Sequence, residues 1–286
     1  MQTVHRIAEL RALLAGRRQA GERIALAPTM GNLHRGHLHL VEVAKILADY
    51  SVASIFVNPM QFGPKEDFNS YPRTLEADSR QLAAVGLDLL FAPPVAEVYP
   101  QGLDNTTRVE VPELSHILCG ASRPVHFAGV ATVVSKLFNM VQPGVALFGE
   151  KDWQQLLVIR RLTADLNFPV EVVGVPTVRE ADGLAMSSRN GYLSAAERTV
   201  APTLYATLQA AAVRLQTGER DYAAIQRDAC AALEQAGFRP DYFEIRRADD
   251  LAPPEGQDTG LRILAAAWLG KARLIDNCPI KVLAPV

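Results

Sequence analysis

Pro28-Thr29-Met30-Gly31-Asn32-Leu33-His34-Arg35-Gly36-His37 follows the short apolar run Ile24 to Ala27 and precedes apolar residues at Leu38, Leu40, Val41, Ala44, Ile46 and Leu47. That order reads as strand, turn, helix. Gly31 and Gly36 let the backbone approach a flat or charged ligand with no Cβ in the way. A helix beginning near His34 turns unpaired N–H groups and a partial positive charge toward the turn, which suits a phosphate. His34 and His37 stand three residues apart, so on one helical turn they point the same way and can donate to phosphate oxygens. In outline this is a nucleotide-triphosphate site. The bland alternative is a β–turn–α connection with merely exposed histidines. A metal site from His34, His37 and His39 is the weaker reading, because no Cys is near and the only close carboxylate is Glu42.

Outward from this turn, apolar strands alternate with helical periods. An amphipathic helix opens the chain through Val4, Ile7, Leu10, Leu13 and Leu14. Strands are expected at 24–27, 51–57, 87–91, 145–148 and 170–175, and helices at 36–49, 74–85, 127–141 and 152–166, with 92–112 irregular. Such alternation implies parallel pairing through right-handed crossovers, hence an α/β, Rossmann-like, doubly wound parallel sheet. Ligands bind such sheets at the carboxyl ends of the strands, so the polar turns after Ala27, Val57 and Phe148 should converge on one crevice. After Pro176 the pattern changes. Ser194 and Glu197 form a capping box, Pro202 starts a helix toward Gln216, and 221–236 is another. Strands follow at 242–246, 263–269 and 273–275, the last two a hairpin around Gly270-Lys271. The expected division is a nucleotide-binding domain over 1–176 and a smaller α+β lid domain over 177–286.

Composition bounds the function. At 286 residues, 49% hydrophobic and 21% charged, the chain has the make-up of an ordinary globular protein with room for two cores. A net charge of −2 gives no electrostatic case for nucleic acid or an anionic membrane as partner. Cys119, Cys230 and Cys278 are far apart and lack any C-x-x-C spacing, which reads as reduced thiols. The N-terminus lacks a signal-peptide pattern, and the longest apolar run, Ile263 to Leu269, is too short to span a bilayer. A cytoplasmic location is the expectation.

Three further segments carry chemistry. Asn58-Pro59-Met60-Gln61-Phe62 ends a strand, where neutral amides can hold a carboxylate or hydroxyl, although an ordinary turn also explains it. Phe148-Gly149-Glu150-Lys151-Asp152 also follows a strand and opens a helix. Lys151 is a point charge suited to phosphate, Gly149 permits close approach, and Gln155 lies one turn beyond; a solvated turn with Asp152 as cap is the alternative. Met186-Ser187-Ser188-Arg189-Asn190 sets two hydroxyls beside a guanidinium, a clamp for a triphosphate on a segment, 177–190, able to close as a lid.

Together, H-x-G-H after the first strand and Met-Ser-Ser-Arg after the last resemble the HIGH and KMSKS pair of the nucleotidyltransferase superfamily. The wording of the motifs is narrower. With Tyr71-Pro72-Arg73-Thr74, His126-Phe127-Ala128-Gly129-Val130, Leu264-Ala265-Ala266-Ala267-Trp268 and Arg273-Leu274-Ile275-Asp276-Asn277, they resemble the pantothenate synthetase (pantoate–β-alanine ligase) family over nearly the whole length. Val125 departs from the glycine expected before His126-Phe127, which touches the bend there.

The resemblance implies an AMP-forming ligase that condenses pantoate with β-alanine through pantoyl adenylate, with ATP as substrate and Mg²⁺ on its phosphates. It implies an ATP site at Met30, Gly31, Asn32, Leu33, His34, Arg35, Gly36 and His37, at Gly149, Glu150, Lys151 and Asp152, at Val178, and at Met186, Ser187, Ser188 and Arg189. His37 would be the proton donor. His34, Lys151, Ser187, Ser188 and Arg189 would share in stabilising charge. Gln61 and Gln155 would hold pantoate, Gln61 would also contact β-alanine, and Asn58 would lie beside them. Asp78 is a possible Mg²⁺ ligand, and a homodimer is expected. The rival readings are a nucleotidyltransferase that leaves nucleotide on its product, and a silent nucleotide-binding sensor.

Overall fold

The structure, a computed structural model, describes residues 1–64 and 66–281. The last five residues of the expected 177–286 span lie outside the described residues. The described chain falls into two compact units, the first formed by 1–150 and 155–176, the second by 151–154 and 177 onward.

In the first unit, β1 (Gln2–Val4) leads to α1 (Ile7–Gln19), β2 (Ile24–Thr29), α2 (Arg35–Leu47) and β3 (Tyr50–Ile55). Then come α3 (Leu75–Ala84), β4 (Leu89–Phe91), the single turns α4 (Val95–Val98) and α5 (Cys119–Ser122), and α6 (His126–Val141). β5 (Val145–Gly149), α7 (Trp153–Asp165, in this unit from Gln155 on) and β6 (Glu171–Val175) close it. Every pairing is parallel, in the order β1-β4-β3-β2-β5-β6. β2 and β3 are buried almost throughout, as apolar strands covered on both faces must be. Val41 and Ala44 of α2, with Leu82 of α3, pack on Ala25, Ala53 and Leu90 of the sheet.

The strand order locates the site. From β2 the chain moves outward through β3 and β4, then returns to the other side of β2 as β5. The carboxyl ends of β2 and β5 therefore flank the topological switch point, where such sheets bind ligands. The turn 30–34 leaves one and the 3₁₀ turn Glu150–Asp152 leaves the other.

One expectation fails at the start. Val4 does not belong to the opening helix; it is the buried end of β1, paired with Phe91 of β4. A three-residue edge strand has no period to read, and only its partner creates it. The Val125 departure is harmless: it sits 45% exposed before α6 with φ −93°, a conformation that needs no glycine.

The second unit carries α8 (Ala195–Val200), α9 (Thr203–Gln216) and α10 (Tyr222–Gln235). They pack on an antiparallel sheet of β7 (Arg239–Arg247), β8 (Gly260–Leu269) and β9 (Ala272–Lys281). The Ser194–Glu197 capping box and the Gly270-Lys271 hairpin are both present. β9 runs longer than the expected 273–275. Asp276, Asn277 and Pro279 break its apolar pattern, yet as an edge strand it tolerates a proline.

Candidate active site

The histidine turn is built by backbone chemistry. His34 is the N-cap of α2: its Nδ1 accepts the Gly36 N–H at 3.2 Å. His37 reaches back, its Nδ1 accepting the His34 N–H at 3.3 Å. This is a capping box made of two imidazoles, whose rings lie 4.0 Å apart. The chemical consequence is a tautomer. A nitrogen that accepts a backbone N–H cannot carry a proton, so each neutral ring is protonated at Nε2, as a donor to phosphate must be.

The preceding residues are strapped down. Gly31 takes φ +82°, and a Cβ there would meet Asp78 Oδ2 and Ile55 Cγ2 at 3.1 Å. Asp78, 1% exposed on α3, accepts the backbone N–H groups of Asn32 and Leu33 at 2.9 Å each, and the Thr74 hydroxyl at 3.0 Å. Its carboxylate braces the turn through these three bonds. Among the described residues no group of three His, Cys, Asp or Glu side chains could hold a metal ion, so the His34–His37–His39 metal site has no support. The Arg35 guanidinium makes a fork to Glu42 at 2.7 and 2.9 Å, so its backbone is the part turned to the helix start.

A second cluster follows β3. In the 3₁₀ turn Pro59–Gln61, Gln61 is 7% exposed and donates from Nε2 to Met30 Sδ at 3.0 Å. Asn58, expected to touch substrate, is 1% exposed, and the protein uses all of its amide positions. Oδ1 accepts from the Tyr99 hydroxyl at 2.7 Å and the Met60 N–H at 3.3 Å; Nδ2 donates to Gln61 Oε1 and to the Gly129 carbonyl, both at 3.1 Å. Asn58 is scaffold. Helix α6 supports the turn through Gly129, where a Cβ would lie 2.4 Å from the Met60 carbonyl oxygen. His126 Nδ1 sits 3.0 Å from the Gln61 carbonyl, and Arg123 binds Glu66 through two bonds at 2.7 and 2.8 Å. The sequence reading missed Tyr99, Arg123 and Glu66 as parts of this cluster. The quoted motif around His126 was its only local signal.

The remaining site residues divide between the units. Gln155 is half-buried on α7 in the first. Lys151 and Asp152 belong to the second, where Asn277 Nδ2 donates to the Lys151 carbonyl at 2.9 Å and Trp153 Nε1 to the Ala248 carbonyl at 2.9 Å. The Met186 N–H donates to the Val178 carbonyl at 3.0 Å, bringing those two together. Ser187 Oγ accepts the Arg189 N–H at 3.3 Å and opens the 3₁₀ turn Ser188–Tyr192. The segment 177–190 is no slack loop: Arg179 forks onto Asp276 at 2.6 and 2.9 Å, pairs with Ala185 in a bridge, and stacks 3.5 Å over the Tyr205 ring.

A parallel doubly wound sheet with the candidate side chains in the turns after β2, β3 and β5 belongs to the Rossmann-like α/β class. A family model for pantoate–β-alanine ligase matches residues 2–279, and the chain belongs to that family. It is 57% identical to the pantothenate synthetase of Hahella chejuensis over 98% of this chain and 99% of that protein, and 58% identical to that of Pseudomonas aeruginosa over the same shares. The crystal structure of pantothenate synthetase from Thermus thermophilus superposes with a TM-score of 0.91 at 52% identity, covering 97% of this chain and 99% of that one. The pantoate–β-alanine ligase of Francisella tularensis, solved with β-γ ATP and β-alanine, gives a TM-score of 0.82 at 33% identity, covering 97% of both chains. The protein is a ligase. No helix among the described residues is long and apolar enough to cross a membrane.

Proposed function

We propose that this ligase joins pantoate to β-alanine at the expense of ATP. Pantoate carboxylate attacks the α-phosphorus, pyrophosphate leaves, and the amine of β-alanine then displaces AMP from pantoyl adenylate. The observation that carries this reading is the double histidine cap at the switch point, with the donor amide of Gln61 in the 3₁₀ turn after the neighbouring strand. The Francisella relative, held with β-γ ATP and β-alanine, supports the choice of substrates.

The chemistry asks little of a base. A carboxylate is already ionised at neutral pH, so adenylation needs alignment and cancellation of charge as pyrophosphate departs. His34 and His37 supply Nε2–H donors, with His37 giving its hydrogen bond to the phosphate and then to pyrophosphate. Lys151, Ser187, Ser188 and Arg189 supply further donors and positive charge. The ATP contacts are assigned to 30–37, 149–152, Val178 and 186–189, pantoate to Gln61 and Gln155, and β-alanine to Gln61 as well. With Asp78 committed to the turn, Mg²⁺ enters as a partner of the ATP phosphates and not through a protein cage. We assign nucleotide and pantoate binding to 1–176, and to 177–286 the role of a lid that keeps water from the adenylate. A cytoplasmic homodimer completes the proposal.

A product assay with ATP, pantoate and Mg²⁺, with and without β-alanine, tests it. AMP and pantothenate should form only with all components present. Nucleotide attached to the organic product would favour a nucleotidyltransferase, and bound ATP with no AMP would leave a sensor.

A further inference from the structure

Tyr99 lies in the irregular stretch before residue 112, outside every sequence motif, yet it is 3% exposed and its hydroxyl sits 2.7 Å from Asn58 Oδ1. Its ring is fixed on two sides, by Phe56 at 6.0 Å and by the Lys136 ammonium at 5.4 Å. Burial pushes its phenol well above the usual tyrosine range, so the hydroxyl keeps its proton at any workable pH.

The hydrogen bonds around Asn58 have only one consistent direction. The Met60 N–H can only donate and the Gly129 carbonyl can only accept. The first lies 3.3 Å from Asn58 Oδ1 and the second 3.1 Å from Nδ2, so the orientation of the Asn58 amide is determined by backbone groups of single function. Tyr99 must then donate. Nδ2 in turn donates to Gln61 Oε1 at 3.1 Å, which turns the Gln61 oxygen inward and leaves Nε2 on Met30 Sδ at 3.0 Å. A thioether is a weak acceptor, so a ligand oxygen displaces it readily.

We propose that Tyr99 is a positioning residue for the pantoate site: through Asn58 it holds Gln61 as a hydrogen-bond donor, matched to a carboxylate or hydroxyl oxygen. The inference rests on the assignment of pantoate to Gln61, and it adds the buried hydroxyl that fastens the amide pair in the direction set by the backbone. Without the hydroxyl, Asn58 Oδ1 retains only the longer bond from Met60, so the Asn58 amide keeps its direction but is held less firmly, and Gln61 with it.

The test is Tyr99→Phe, which keeps the ring and its neighbours, in full steady-state kinetics. Wild-type enzyme that makes no pantothenate from the three substrates would overturn the pantoate assignment itself. With an active wild type, Tyr99→Phe should raise the pantoate KM by roughly tenfold while the ATP KM holds within about twofold. A cooperatively melting Tyr99→Phe protein with wild-type pantoate KM overturns the proposal, as does an equal rise in all three KM values. Asn58→Asp provides an independent arm if Tyr99→Phe folds poorly. It still accepts from Tyr99 and Met60 but cannot donate to Gln61, so its pantoate KM should rise further. Adding Tyr99→Phe to Asn58→Asp should then change little. Independent, multiplying effects of the two substitutions would break the relay.

Discussion

The carboxylate of Asp78 accepts a hydrogen bond from the backbone N–H of Asn32 at 2.9 Å, across 46 positions of the chain. With the Leu33 N–H on its other oxygen, it satisfies two donors of a turn that a left-handed Gly31 and Asn32 have already tightened. Asp78→Asn keeps the shape but offers one oxygen where two are needed, and sets an amide N–H against a backbone N–H. We expect a loss of about 2 kcal/mol in urea unfolding, together with weaker ATP binding. Stability equal to wild type would show that the turn holds itself.

The two imidazoles separate structure from chemistry. Nitrogen NMR should find His34 and His37 as neutral Nε2–H tautomers, because each Nδ1 is occupied by a backbone N–H. His37→Asn places an oxygen near the Nδ1 position and can keep the cap, but has no counterpart of Nε2–H. It should melt within a few degrees of wild type yet lose roughly 100-fold or more in kcat/KM for adenylation, read by pyrophosphate release. Near-normal turnover in that variant would remove His37 from the proton-donor role.

Gly129 is where α6 meets the turn that carries Gln61. A Cβ there would stand 2.4 Å from the Met60 carbonyl oxygen and 2.6 Å from Gln61 Cα, so Gly129→Ala must displace the turn. The expected cost is about 2 kcal/mol in stability, with a raised pantoate KM in the surviving fold. A crystal structure of the variant with Gln61 unmoved would contradict this account.

Glu42 gives a pH signature. The Arg35 guanidinium, hydrogen-bonded to it, holds its carboxyl below the usual glutamate range, with a smaller contribution from His39. A depressed folded pKa means that the pair's stabilisation is present above the unfolded value and is lost as pH falls through the folded one. Carboxyl NMR should find a low Glu42 midpoint that rises toward the ordinary range in Arg35→Gln. A midpoint indifferent to that change would exclude Arg35 as the cause.

The alternation of apolar runs with helical periods was enough to read the parallel sheet, because burial on both faces leaves continuous apolar strands, and the spacing of His34 and His37 after a strand marked the turn where their rings meet. Local chemistry was legible wherever partners lie within one turn, as in the Ser194–Glu197 box. Tertiary structure alone decided the rest. Val4 is a strand because Phe91 lies beside it; Asp78 is a brace because two backbone N–H groups 45 and 46 positions away need an acceptor; and Asn58 is scaffold because Tyr99 and Gly129, 41 and 71 positions distant, use up its amide. Hydrogen bonds between groups so far apart in the chain leave no period and no spacing to read, so the polarity of a site amide is set by the fold that gathers its neighbours.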